Sequence, residues 1–323
     1  MPAMKRRLRL VVLAVSLLAA LGDARAQGRP VRVIVSQAAG GTPDIICRLL
    51  VDRLSRATGQ PIVVENRPGG GNVIGAQAAA RAAPDGASFF FATAAALVTN
   101  PHTFKTLPYD PTRDFVPVSM VGKAPFFVLV HPGVPAKSLS ELVALEKAQP
   151  GKLTFATDGP RNFSGMVAAW LNKLAGTSIL QAPYAVMPQG IQDTVAGRTQ
   201  LVVIAIPSAT ALLKRGDLRA LALTAPQRAP GYEDIPTAAE TFPGFDLVGW
   251  FAFVAPAGTP PEAVRRFNRE MGRILDDPAV VARLRDVGVY TDGALTPEAT
   301  GDFIRAEYLR WGRIVREIGL QPE

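Results

Sequence analysis

The chain has 323 residues, 48% hydrophobic and 19% charged, with a formal net charge of +8. That length suits one large α/β unit or two lobes with ample core. The charge is mild and no basic run carries interleaved aromatics, which argues against a nucleic-acid partner. The single cysteine, Cys47, excludes an intramolecular disulfide.

Residues 1–26 read as a secretory signal peptide. Lys5, Arg6, Arg7 and Arg9 precede the apolar stretch "LVVLAVSLLAALG", and Ala24 and Ala26 stand at the small-residue positions of a cleavage site. The apolar stretch is short for a membrane span, and no other segment is long enough for one. An N-terminal anchor helix is the alternative, and no cysteine marks the cleavage point for a lipid. The expected product is an exported, periplasmic chain beginning near Gln27. Losing five basic residues and one acid with the leader takes the formal charge from +8 to +4, a balance that suits an anionic small ligand.

"VRVIV" then predicts a buried strand, and "SQAAGGTPDI", residues 36–45, turns through two glycines into a helix. Thr42 is the expected N-cap, Pro43 the first helical position, and Asp44 lies in the first turn. Gly40 and Gly41 let a backbone approach a ligand closely. Cys47, in the same helix, reads as a buried small hydrophobe. Strand 61–66, helix 73–83 and strand 88–93 follow, with a loop expected from Leu97 to Pro108. "GGGNVIGAQ" has two glycines at phosphate-loop spacing, but Ala76 and Gln77 stand where Lys and Ser/Thr are needed. It also misses the dinucleotide pattern and reads as a glycine turn before a helix.

Two strands lie near 115–132, then helix 138–149, strand 153–157 and helix 164–176. "SILQAP", helix 188–197, strand 199–206, helix 208–215 and strand 218–224 continue the alternation. After a proline-rich passage come strand 248–258 and helices near 260–275, 277–287 and 297–318. Such alternation predicts parallel sheets covered by helices. "LTFATDGPRNFSGMVAAW" repeats the opening logic, with a strand, a short polar turn and a helix beginning at Asn162 to Ser164. Two helix N-termini therefore offer unpaired N–H groups and partial positive charge to an anion.

Chemistry is poorly supported. His102 and His131 each sit beside a proline, in segments that read as loop, and neither has a second His or Cys at metal-ligand spacing. G-x-S-x-G does not occur, and no histidine is placed for a serine triad. No cofactor and no metal are expected.

Five segments, "ENRPGGGNVIGAQAAARAAPDG", "LPYDPTRDFVPVSMVG", "KSLSELVALEKAQPGKLTFAT", "LRALALTAPQRAP" and "GWFAFVAPAGTP", resemble in order those of the Bug-type (Bordetella uptake gene) periplasmic receptors of tripartite tricarboxylate transporters. The resemblance covers nearly the whole mature chain. It implies an α/β fold of the type II periplasmic binding protein class, two lobes joined by two crossing strands with a ligand cleft between. Lobe one would be 27–124 with 249–323 and lobe two 125–248, with "PFFVLV" and "GWFAFV" as the crossing strands.

The resemblance further implies a non-enzymatic, monomeric receptor that captures a small carboxylate and passes it to the membrane subunits of a transporter. Ala39, Gly40, Gly41, Thr42 and Asp44 would meet one carboxylate through main-chain N–H groups, flanked by Thr93 and Ala94. Arg161, Asn162 and Ser164 occupy the loop of lobe two. The family's frequent histidine after that loop is Gly165 here, its Lys-Gly after "PY" is Ala185 and Val186, and its polar pair before "PSA" is Ile204 and Ala205, the last also counted with the ligand-binding positions. With Phe163, these substitutions predict an apolar wall, and hence a carboxylate with an apolar body in preference to citrate. Trp311 is expected to pack, Trp250 to lie in the core or at the hinge, and Tyr184 to be structural. A receptor that presents its ligand to a membrane sensor kinase, and a secreted α/β hydrolase, are the competing readings.

Overall fold

The computed structural model describes residues 30–322; the expected leader lies outside them. Two five-stranded sheets organise the chain. The first contains β1 (Val31–Val35), β2 (Ile62–Asn66), β3 (Ser88–Thr93), β4 (Phe115–Ala124) and β10 (Gly249–Pro256), in the order β2-β1-β3-β10-β4. The second contains β5 (Phe126–Val130), β6 (Thr154–Thr157), β7 (Leu180–Pro183), β8 (Leu201–Ala205) and β9 (Arg219–Leu223), in the order β7-β6-β8-β5-β9. Strands joined through helices pair in parallel: β1 with β2 and β3, and β6 with β7 and β8. The strands next to the crossings run against them, β10 against β3 and β4, and β5 against β8 and β9. A chain that enters the second sheet and later returns must cross the boundary in opposite directions, and this sets those pairings.

The crossings are short. β4 ends at Ala124 and β5 begins at Phe126, so Pro125 alone separates the two sheets. Proline has no N–H to offer a ladder and ends one pairing cleanly. Neither β5 nor β10 pairs in both sheets; each belongs to one, and the chain changes sheet at Pro125 and again just before Gly249. Thr224, just after β9, links the two junctions: the Phe126 N–H donates to its Oγ1 at 3.1 Å, its N–H donates to the Phe126 carbonyl at 2.9 Å, and the Leu247 N–H of the returning segment donates to its carbonyl at 3.2 Å.

Helices cover both faces of each sheet. α1 (Thr42–Thr58), α9 (Pro261–Leu275) and α10 (Pro278–Asp286) cover one face of the first sheet. The stripe Val264, Phe267, Met271, Ile274 has the three- and four-residue spacing that puts one side of α9 into the core. Cys47 packs here, and burial pushes its thiol pKa up. α6 (Met187–Val195) and α7 (Ile206–Arg215) cover one face of the second sheet. A third core runs through both lobes, containing α2 (Val73–Ala80), α5 (Phe163–Ala175) and α11 (Pro297–Glu317).

The stretch expected as a loop from Leu97 is instead wound. A π-turn over Ala95–Thr99 runs into α3 (Asn100–Thr103), which also carries His102. Ala96 to Val98 are buried, and a buried backbone must satisfy its own polar groups, which winding achieves. The Tyr109 hydroxyl donates to the Ala96 carbonyl at 2.6 Å. His102 is braced by the Tyr308 carbonyl of α11 at 2.9 Å from Nε2. The remaining helices, α4 (Leu139–Ala148) and α8 (Ala238–Thr241), lie on the second lobe.

Candidate functional site

In the first lobe the loop after β1 leads into α1. The N-cap of α1 is Gly41, not Thr42, and no side chain caps it directly. Asp44 takes over that task from inside the first turn. Its carboxylate accepts the Gly40 N–H at 2.8 Å, Arg48 Nε at 2.9 Å and Asn66 Nδ2 at 2.9 Å. Burial alone would raise the Asp44 pKa, but these hydrogen bonds, Arg48's first, hold it below the usual carboxylate range. One N–H of the expected backbone cradle therefore already serves the chain's own acid. Ala39, Gly40 and Thr42 are exposed beside it, and Gly41 is half-buried.

The glycine turn before α2 is part of the same surface. Gly69, Gly70, Gly71 and Asn72 all have positive φ. Gly75 is required by packing, because a β-carbon there would lie 2.6 Å from Ser36 Cα. That close approach brings Asn72 over the loop after β1, where its Oδ1 accepts from Ser36 Oγ at 2.8 Å and Gln37 Nε2 at 3.0 Å. Thr93, at the end of β3, is buried, and its Oγ1 accepts the Ala96 N–H at 3.3 Å. Ala94 follows it at the cavity wall.

In the second lobe the loop's own acid, unlike Asp44, lies outside the helix: it is Asp158, the first residue after β6. Its N–H donates to Ser164 Oγ at 2.8 Å, and the Ser164 hydroxyl donates back to its carboxylate. Burial raises the Asp158 pKa, and the Ser164 and backbone hydrogen bonds only partly oppose it. Ser164 is buried with its hydroxyl engaged in both directions. Asn162 is the N-cap of α5 and donates to the Asp158 carbonyl. Gly165 explains how this loop lies so close to the helix. A β-carbon there would overlap the Gly159 carbonyl oxygen and stand 2.8 Å from Pro160 Cα. Arg161 Nη2 donates to the Gln321 carbonyl at 3.2 Å, tying the second lobe to the C-terminal tail.

The glycine turn before α2, the segment after β3 and the loop before α5 border a cavity of about 380 Å³, whereas Ala39, Gly40, Gly41, Thr42, Asp44, Thr93 and Ser164 are not in its lining. Asn72, Ala94, Thr99 and Asn100 line it from the first lobe, Arg161, Asn162, Phe163 and Met166 from the second, and Trp311 from α11. Arg161 is the one charged side chain among the described residues of this lining. Trp311 is fully buried, as expected of a packing residue, yet it also forms cavity wall, its ring 6.2 Å from that of Phe163. Trp250 is core, its Nε1 donating to Glu307 at 3.1 Å.

Of the expected site residues, Ala94, Arg161 and Asn162 meet around this cavity. Ala205, the N-cap of α7, is half-buried and lies outside the lining. Ile204 faces into the second lobe's core at 5% exposure, while Ala185 and Val186 are exposed on the loop after β7. The apolar wall is thus built from Phe163, Met166 and Trp311 and not from Ile204, Ala185 or Val186. Asn72 and Asn100 escaped the sequence reading. The available signal was an asparagine closing a glycine run, a residue type that tolerates positive φ and still carries donors.

Comparison with known proteins agrees with this architecture. A model of the tripartite tricarboxylate transporter family receptor matches residues 46–320. Protein BugT of Bordetella pertussis is 34% identical over 293 residues, covering 90% of both chains. The solved structure described as R. palustris Rpa4515 with adipate is 30% identical, covers 92% of this chain and 99% of its own, and superposes with a TM-score of 0.79. MatC from Rhodopseudomonas palustris with bound malate is 30% identical over 89% of this chain and 99% of its own, with a TM-score of 0.74. The chain belongs to the tripartite tricarboxylate transporter receptor family, and its fold is that of the family's two-lobed periplasmic binding proteins.

Proposed function

We propose that this receptor closes its lobes, residues 27–124 with 249–323 and residues 125–248, on a small carboxylate with an apolar body. It acts by capture and release, as a monomer, and delivers the ligand to the membrane subunits of a tripartite transporter. Residues 1–26 direct export and are removed after Ala26. The observation that carries the reading is the cavity itself. Phe163, Met166 and Trp311 form an apolar wall, and amides with a single guanidinium supply the polar contacts. Pockets of this kind fix a ligand's orientation with a few polar groups and gain affinity from apolar area.

The solved relatives holding adipate and malate support the carboxylate class. Each buried methylene contributes about 0.8 kcal/mol. Each polar group left unpaired against the wall costs about 1–3 kcal/mol. Citrate, with a hydroxyl and a third carboxylate, meets that penalty where adipate does not. Protein recovered from the periplasm should begin at Gln27 and, titrated in a calorimeter, bind adipate at least tenfold more tightly than citrate. Tighter citrate binding would reject the apolar-wall reading, and an intact residue 1–26 segment would reject processing.

A further inference from the structure

Asn72 is the only non-glycine residue with positive φ among the described residues, at +81°. Asparagine tolerates this region better than most residues, but glycine would adopt it with less strain. The three residues before it are glycines with positive φ, so the turn has no general need for a side chain. The asparagine side chain is nevertheless held from one end. Ser36 and Gln37 both donate to its Oδ1, which leaves Nδ2 with two hydrogens and no partner among the described residues. The backbone of the turn is braced from the opposite side, where Asn100 Nδ2 donates to the Gly71 carbonyl at 2.8 Å. Asn72 and Asn100 both line the cavity, facing the loop of Arg161 and Asn162 across it.

We propose that Asn72 is a ligand-binding residue of lobe one, its side-chain amide donating to a carboxylate oxygen of the ligand, with Ser36 and Gln37 as positioning residues that orient it. This inference rests on the carboxylate reading of the cleft and names the group that meets the ligand there. A donor already oriented by two acceptor-side bonds loses little freedom on binding, which favours its use for recognition. The arrangement also accounts for the first lobe's chemistry. The Gly40 N–H at the start of α1 already serves Asp44, and no residue of that helix start lines the cavity, whereas Asn72 does.

Asn72→Gly is the informative variant, because glycine accepts the same backbone and removes the whole amide, both the Nδ2 donor and the Oδ1 that Ser36 and Gln37 use, so the thermal midpoint reports the structural loss separately. Asn72→Asp keeps the shape and replaces the donor with a negative charge. Both variants and the wild type are titrated with adipate in a calorimeter, and their thermal midpoints are recorded. The expected result is a Gly variant that melts within a few degrees of wild type but binds adipate about tenfold more weakly. The Asp variant should lose still more affinity, and that extra loss should shrink in high salt. A well-folded Gly variant that binds adipate within twofold of wild type overturns the role of Asn72 and leaves the receptor reading intact. Failure of the wild type to bind adipate, malate or any other carboxylate tested overturns the carboxylate reading, and this inference with it.

Discussion

Asp44 shows how one residue decides what a helix terminus can do. A helix start offers free N–H groups and partial positive charge, and the most accessible anion to place there is one the chain already carries. Asp44 is 2% exposed and hydrogen-bonded by Gly40, Arg48 and Asn66. Its folded pKa lies below the unfolded value of 3.8, so its stabilisation is complete above pH 3.8 and is lost as pH falls through the folded pKa. An asparagine at this position would keep the shape and lose the charge. Asp44→Asn should therefore cost about 1–3 kcal/mol at neutral pH. In urea unfolding at pH 7, 5 and 3, the gap between wild type and variant should hold from 7 to 5 and narrow at 3. A gap unchanged at pH 3 would mean that shape, not charge, holds the loop.

At the scale of elements, the start of α5 and the loop before it form one unit. The loop lies on the helix because Gly165 presents no side chain to the Gly159 carbonyl. Asp158, Ser164 and Asn162 then lock it with hydrogen bonds inside the turn. Arg161 and Asn162 reach the cavity from this loop, so its height above the helix sets where they stand. Gly165→Ala should push the loop outward, destabilise the protein by about 1–3 kcal/mol through overpacking, and weaken adipate binding as well. Chemical unfolding and calorimetry check the two effects, and a variant with wild-type stability would show that the loop moves without penalty.

At the scale of the molecule, α11 makes a third connection between the lobes, beside the two crossings. Its Trp311 packs near Phe163 of the second lobe, and the tail beyond it accepts from Arg161. Arg310 pairs with Glu307 on the same helix and with Asp246 in the segment that returns from the second sheet. Glu307 is buried, which pushes its carboxyl pKa up to about 7, with the Trp250 hydrogen bond and the Lys123 charge opposing the rise, and it also contacts Arg310. Removing one partner of such a pair leaves an uncompensated buried charge. Arg310→Met should lower stability by about 3–5 kcal/mol, and adding Glu307→Gln should restore part of it. Urea unfolding of the three proteins tests this; a loss below about 1 kcal/mol for the single variant would place the pair on the surface in energetic terms.

The alternation of β-branched strands with helical periodicity was sufficient, from sequence alone, to place nearly every element and to mark the two strand-loop-helix turns, because those features depend on residues close together in the chain. Five ordered segments identified the family for the same reason. The winding of Ala95 to Thr103 was not legible, since it answers to burial from both sides. Nor was the facing of Ile204, because a strand apolar on both faces carries no alternation to say which residue meets the cleft. Asn72 depends on Ser36 and Gln37, which Gly75 allows to approach it. Trp311 reaches the cavity from the far end of the chain. Which donors remain available to a ligand is decided only after distant segments meet, because each buried polar group first takes the partners that folding brings to it.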